Sequence, residues 1–172
     1  MINFDSIILR VLQDGLLAFF VGVGFALLFN APKKAVIMAG LLGAAGHMLR
    51  FILREEFEVG IIPATLAGSL LIGFCSIGAA HVVHTPPVVF SMPACITMIP
   101  GLYAYRTMIG VVKIADSDAT VHTPGLLTET VHNFVLTGSL LFTLAIGISV
   151  GSLLFRKKSV KYLRLRKQRK TA

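Results

Sequence analysis

Apolar residues run through this chain in five long blocks, each closed by a short polar or helix-breaking segment. The blocks cover residues 7–29, 34–53, 60–83, 88–114 and 126–155. The separators read "NAPKK", "REEFEVG", "HTPP" and "ADSDATVHTPG". A run of about 20 apolar residues is what an α-helix needs to cross a bilayer core roughly 30 Å thick. The pattern predicts an all-α, polytopic membrane bundle of about five transmembrane helices. Asn30 can end the first helix and Pro32 can start the second. The fourth block contains Pro93, Pro100 and Gly101, so its helix is expected to break at Pro100-Gly101. The fifth is long enough to tilt or to begin above the bilayer. A four-span alternative would make the fourth block re-entrant.

Composition supports the membrane reading: 55% of residues are hydrophobic and 14% charged, with a mean hydropathy of +0.82. Soluble domains carry about 25% charged residues. The formal charge of +8 is concentrated, because residues 156–170 hold nine of the sixteen lysines and arginines. The chain therefore divides into a transmembrane domain, 1–155, and a basic cytoplasmic tail, 156–172, suited to anionic lipid. Without an aromatic platform or a folded basic module, that charge does not indicate nucleic acid. Lys33 and Lys34 and the tail belong on the cytoplasmic side, and Glu55, Glu56, Glu58, Asp116 and Asp118 outside. That places the N-terminus outside and the C-terminus inside. Asp5 precedes Arg10 at the start, so the first block reads as a retained span and not a secretory signal. Cys75 and Cys95 look like small buried hydrophobes, neither a disulfide nor a metal pair.

Small residues recur at helical spacing: Gly40, Gly43 and Gly46 in the second block, Gly68, Gly73 and Gly78 in the third, Gly147 and Gly151 in the fifth. In lipid, such residues let helix backbones approach closely.

The polar residues within the blocks carry the functional information, because a central Arg, Lys or Asp costs roughly 2.5 to 3.5 kcal/mol on insertion scales. Asp14 lies four residues after Arg10, either in an intrahelical pair or as a carboxylate on a substrate or proton pathway, with Gln13 beside it. His47 and Arg50 share a helix face with Gly43 and Gly46. Arg50 can snorkel outward with Arg54 or face an anion; His47 can pack helices or relay a proton. Arg106 and Lys113 lie seven residues apart in the fourth block, near Tyr103 and Tyr105. In the fifth block Glu129 and Asn133 share a face, and Asn133 either packs helices or lines a pathway.

Pro100 removes one helical N–H, and the freed carbonyls need partners that lipid does not supply. A half-helix starting near Gly101 presents N–H groups and a positive dipole end, which suit a carboxylate. Transporters bind substrate at such discontinuous helices. No GxSxG, P-loop, HExxH or CxxC pattern occurs. His47, His81, His84, His122 and His132 lack ligand spacing. The sequence predicts no enzyme activity, no cofactor and no metal.

The segments "QDGLLAFFVGVGFALLFNAP", "LLGAAGHMLRFIL" and "IPGLYAYRTMIGVVKI", with the Asn-Phe of the fifth block, resemble the threonine/serine exporter family. The likeness is to the small subunit of its split bacterial form, equivalent to the C-terminal half of fused exporters. It implies a secondary exporter of small carboxylates in the bacterial inner membrane, carrying threonine or serine, or a dicarboxylate such as succinate. It also implies a larger membrane subunit as partner; association between copies of the chain stays open. Asp14, Gly46, His47, Arg50, Pro100, Gly101, Tyr105, Lys113 and Asn133 match the family pattern. Arg106 and the strongly basic tail depart from it, and Arg106 is assigned to tuning substrate preference. A different class of role is an assembly subunit that braces a larger partner without touching substrate.

Overall fold

The computed structural model describes residues 4–115 and 125–168, with side chains described from residue 7 to residue 151 and at Leu153. All regular structure in these residues is helical: α1 Phe4–Leu28, α2 Lys33–Glu55, α3 Ile61–Val83, α4 Val88–Ile96, α5 Gly101–Ala115 and α6 Leu126–Gln168. Helices α1, α2, α3 and α6 are each long and apolar enough to cross a membrane. Their outward faces carry Leu16, Leu17, Phe20, Phe74, Phe134 and Phe142, all exposed. A soluble monomer rarely shows so much apolar surface, whereas lipid covers it.

The first turn is settled locally. Asn30 adopts a left-handed conformation, φ 55°. Its N–H bonds the Leu27 carbonyl at 2.9 Å, and the Ala31 N–H reaches the Ala26 carbonyl at 3.0 Å. This paired closure satisfies the last carbonyls of α1. Pro32 then starts α2, where its missing N–H costs nothing.

Small residues fix how the helices meet. A methyl group on Gly22 would strike the Ala39 carbonyl of α2, and one on Gly15 would strike Met48. These contacts set an antiparallel α1–α2 register. Gly46 and Gly68 join α2 to α3 in the same way. Ser69 and Gly73, one turn apart on α3, meet Gly147 and Gly151, one turn apart on α6, in the same order along both chains. Helices α3 and α6 are therefore parallel.

That parallel pair decides the number of crossings. Helix α4 starts beside the end of α3, and Gly110 of α5 packs against Thr130 near the start of α6. The unit α4–α5 must then carry the chain from one face to the other. Helix α4 has only nine residues, about 14 Å of rise. Together α4 and α5 make one span, bent by 62° at the break. With five crossings, the Lys33-Lys34 turn and the end of α6 share one face. The Glu55–Glu58 turn lies on the other.

The expected break at Pro100-Gly101 is present: the fourth block is two helices, with residues 97–100 between them, because Pro100 supplies no N–H to the helical ladder. The helix of the fifth block continues past its apolar span, Leu126–Gly151, to Gln168. The basic stretch contains no glycine or proline and is rich in good helix formers. Helix α6 also reaches far beyond α3 at its start. Leu126 lies 21 residues before Gly147, while Ile61 lies eight before Ser69. The offset is about 20 Å of helix, which fits a helix that begins above the bilayer.

The apolar core lies among α2, α3, α4 and α6, around Ile72, Phe90, Ala94, Met98 and Leu144. Cys95 is buried there, but Cys75 is exposed on α3, contrary to expectation, because that face of α3 has no helix against it. Both are free thiols.

Candidate functional site at the helix break

The antiparallel register of α1 and α2 places Asp14 opposite His47. The His47 Nδ1 and the Asp14 carboxylate are 2.5 Å apart, with both side chains about a quarter exposed (24% and 23%). With Asp14 ionised, Nδ1–H donates to the carboxylate and leaves Nε2 as an acceptor. Asp14 thus turns to the neighbouring helix, while Arg10, its local alternative, is exposed to the surroundings. Among the described residues, Asp14–His47 is the only pairing of an acidic with a basic side chain.

Arg50 stands three residues beyond His47 on the same face of α2. Its guanidinium Nη1 donates to the Met98 carbonyl at 3.1 Å. Neither of its sequence readings, snorkelling or standing ready for an anion, anticipated this contact. Its origin is the break. In a continuous helix the Met98 carbonyl would accept the N–H of Leu102. Here the Ile99 N–H turns to Ile96, and the Gly101 N–H turns to the Ile99 carbonyl at 2.8 Å. A new helix starts when Ala104 bonds Pro100. The Met98 carbonyl is left at the negative end of α4, and a cation from α2 answers it. A hydrogen bond to a charged group contributes about 1.5–3 kcal/mol. That is comparable to the insertion cost of the arginine.

The break is held from several sides. Gly43 of α2 lies against Thr97 and Ala94, and Gly68 of α3 lies against the Met98 sulfur. Pro100 and Met98 are buried, but Gly101 is exposed and has open space at its Cα. The carbonyl side of the break is thus occupied by Arg50, while the amide side opens outward. Asp14, Arg54 and Tyr103 all act electrostatically on Arg50. The sequence reading did not include Arg54, Tyr103 or the Met98 carbonyl among the site residues. Pro100 deprives only the Ile96 carbonyl of its helical donor, and the Ile99 N–H takes that place.

The remaining candidates lie elsewhere. Tyr105, Arg106 and Lys113 are exposed on α5. Asn133 is buried, 4% exposed, on α6. It lies three residues beyond Thr130, which meets Gly110 of α5. The structure therefore joins Asp14, His47, Arg50 and the Pro100-Gly101 break, and leaves Asn133 at the α5–α6 seam. Most buried hydroxyls are committed within their own helices: Thr65, Ser76, Thr107, Thr130 and Thr143 each donate to a carbonyl three or four residues back. His81 bonds the Ile77 carbonyl in the last turn of α3, and His84 ends that helix in a left-handed conformation. Among the described residues no group of three His, Cys, Asp or Glu side chains could hold a metal. Asp116, Asp118 and His122 lie outside the described residues.

The family described as "Threonine/Serine exporter, ThrE" matches residues 14–154. The chain belongs to the threonine/serine exporter family. The matched region begins at Asp14 and contains His47, Arg50 and both halves of the broken span. An "Uncharacterized protein" of Haemophilus influenzae (strain ATCC 51907 / DSM 11121 / KW20 / Rd) is 36% identical over 156 residues. That match covers 88% of this chain and 50% of the relative. The chain thus spans about half the length of the curated relative it matches. No solved structure matches it.

Proposed function

We propose that this chain is one half of a secondary exporter of small carboxylates, threonine or serine or a dicarboxylate such as succinate, in the bacterial inner membrane. The observation that carries this reading is the convergence of Asp14, His47 and Arg50 on a broken span. In this scheme the solute carboxylate binds between Arg50 and the open amide end of α5. Helix N-termini and guanidinium groups both favour carboxylates. Asp14 either reads the ammonium of an amino acid or, with His47, holds the coupling proton. The Nε2 of His47 is the proton's entry point. No covalent chemistry is involved.

The second half is a larger membrane subunit. Support comes from the length of the relative and from α5. The buried positions of α5 form one stripe, Thr107 and Gly110, against α6. Arg106 and Lys113, on the stripe beside it with Leu102 and Ile109, are exposed. Lipid offers Arg106 and Lys113 no acceptors in the hydrocarbon region, whereas a partner helix or a water-filled path does. The Lys33-Lys34 face, shared with the end of α6, is the cytoplasmic one by the distribution of basic residues. The N-terminus is then outside and the basic tail inside, next to anionic lipid.

The test is efflux of labelled threonine and succinate from cells expressing this chain alone, its partner alone, or both. Efflux is expected only from the pair, against a gradient, and lost on adding an uncoupler. Full efflux from this chain alone would remove the two-subunit reading. Full efflux by a pair carrying Asp14→Asn and Arg50→Gln would reduce this chain to a brace for its partner.

A further inference from the structure

We propose that Arg50 is the latch of the broken span. Its guanidinium alternates between the Met98 carbonyl and the carboxylate of the transported solute, and release of the carbonyl lets α5 pivot at Pro100-Gly101. The trigger rests on the transport reading above; the latch itself rests on the structure.

Three observations combine. First, the Arg50 bond to Met98 ties α2 to the linker that directly follows α4. A buried carbonyl without a partner is costly, so the bond fixes where α4 ends relative to α2. Secondly, the two halves of the span are held unequally. Helix α4 packs against α1, α2, α3 and α6, and Phe90, Ala94 and Met98 are fully buried. Helix α5 has its packing partner in α6, with only Thr107 and Gly110 buried. A fixed arm and a loosely held arm joined at a Pro-Gly pair form a hinge, and the moving part is α5. Thirdly, Gly101, at the joint, is exposed and meets nothing within 4 Å of a Cβ position. No other helix crowds the joint at that position.

The exchange follows from the chemistry of the guanidinium. It donates to a carbonyl through one N–H but grips a carboxylate through two parallel bonds, which are stronger because both groups are charged. A solute carboxylate therefore outcompetes the Met98 carbonyl when it reaches Arg50. The groups that act electrostatically on Arg50 are Asp14 of α1, Arg54 of α2 and Tyr103 of α5. Tyr103 sits on the moving arm, so motion of α5 changes the surroundings of the latch. Once released, the Met98 carbonyl needs a donor. The N–H of Leu102 becomes available to it if the joint straightens toward a continuous helix. Anion binding and straightening of the span are thereby coupled through one side chain. Arg50 acts here as a positioning residue for the hinge as well as a contact for the solute.

The experiment measures the distance between spin labels on Met92→Cys of α4 and Met108→Cys of α5, both exposed positions, in the full chain in nanodiscs. Cys75 and Cys95 are first replaced by serine and alanine. A straight helix separates these positions by about 24 Å, and the bend shortens that. Without solute, Arg50→Met should broaden the distribution and shift it longer, and Arg50→Lys should restore it in large part. Pro100→Ala removes the ring that opposes a continuous helix and adds an N–H for the Ile96 carbonyl, so that the Leu102 N–H can reach Met98. In that background the span should be long and narrow, and Arg50→Met should have no further effect. This double variant also remains informative if Arg50→Met alone does not fold. Saturating threonine or succinate should move the wild-type distribution toward that of Arg50→Met and leave Arg50→Met unchanged. An Arg50→Met distribution identical to wild type overturns the latch. A solute shift of equal size in Arg50→Met overturns the exchange. Absence of any solute shift, with the Arg50→Met effect present, overturns the carboxylate trigger. Efflux by the subunit pair, measured separately, shows whether the transport reading fails with it.

Discussion

The first four helices and the last two treat their polar groups in opposite ways. Between α1 and α4 two intramembrane charges find partners outside their own helix, Asp14 on His47 and Arg50 on the Met98 carbonyl, while Arg10 stays exposed. On α5 and at the start of α6, Arg106, Lys113, Glu129 and His132 are all exposed. The first region is a helical unit that closes on itself around a break. The second is an arm attached by one seam, whose polar face awaits water or another chain. In lipid a charge needs a partner or water, and the two regions meet that need differently.

The largest expected effect is at the crossing that ties the arm to the body. Gly73→Leu would push a side chain into the Gly147 backbone on α6. Overpacking costs about 1–3 kcal/mol even where neighbours yield, and here the neighbour is backbone. Loss of the folded monomer in detergent, read by size-exclusion fluorescence, is the expected result. A stable Gly73→Leu protein would show that α3 and α6 do not meet in this register.

Within the self-closing region, Asp14→Asn and His47→Gln should each lower efflux by the subunit pair about 10-fold or more, since a charged hydrogen bond contributes about 1.5–3 kcal/mol. The double variant should lose little beyond the worse single one. Additive losses would mean that the two residues act separately.

On the arm, Arg106→Gln and Lys113→Gln should leave the melting temperature of the isolated chain unchanged, because neither has a described acidic partner to lose. The same changes should weaken co-purification of the partner subunit. Equal destabilisation of the isolated chain would move these cations from the partner-facing group to the self-closing one.

The smallest effect belongs to the glycines with room around them. Gly24→Ala and Gly138→Ala meet nothing within 4 Å. Alanine is favoured over glycine in a helix by about 1 kcal/mol, so a slight rise in melting temperature is expected. A fall at Gly138 upon adding the partner subunit, absent without it, would place that face in the interface.

What sequence alone determined is what local chemistry controls. Five apolar blocks imposed membrane helices, because backbone groups in lipid must bond within the segment. Asn30 and Pro32 ended one helix and began the next through their own backbone preferences. Pro100 broke the fourth span because it lacks an N–H. Charge placement along the chain was legible for the same reason: each residue could be assigned to a block or a turn without knowing its neighbours in space. The choice of partners was not. Arg10 lay at helical spacing from Asp14, yet His47, 33 residues away, makes the contact. Arg50 had no sequence neighbour that marked Met98, 48 residues on, as its acceptor. Asn133 and Lys113 shared the family pattern with Asp14, but the 20 Å stagger of α6 against α3 sets Asn133 apart. The parallel pairing of α3 with α6 likewise decided that the broken helix crosses the membrane instead of turning back. These outcomes depend on which helix faces which, and at what height. Small residues on both partners fix that by close approach, and their fit exists only once the helices have met.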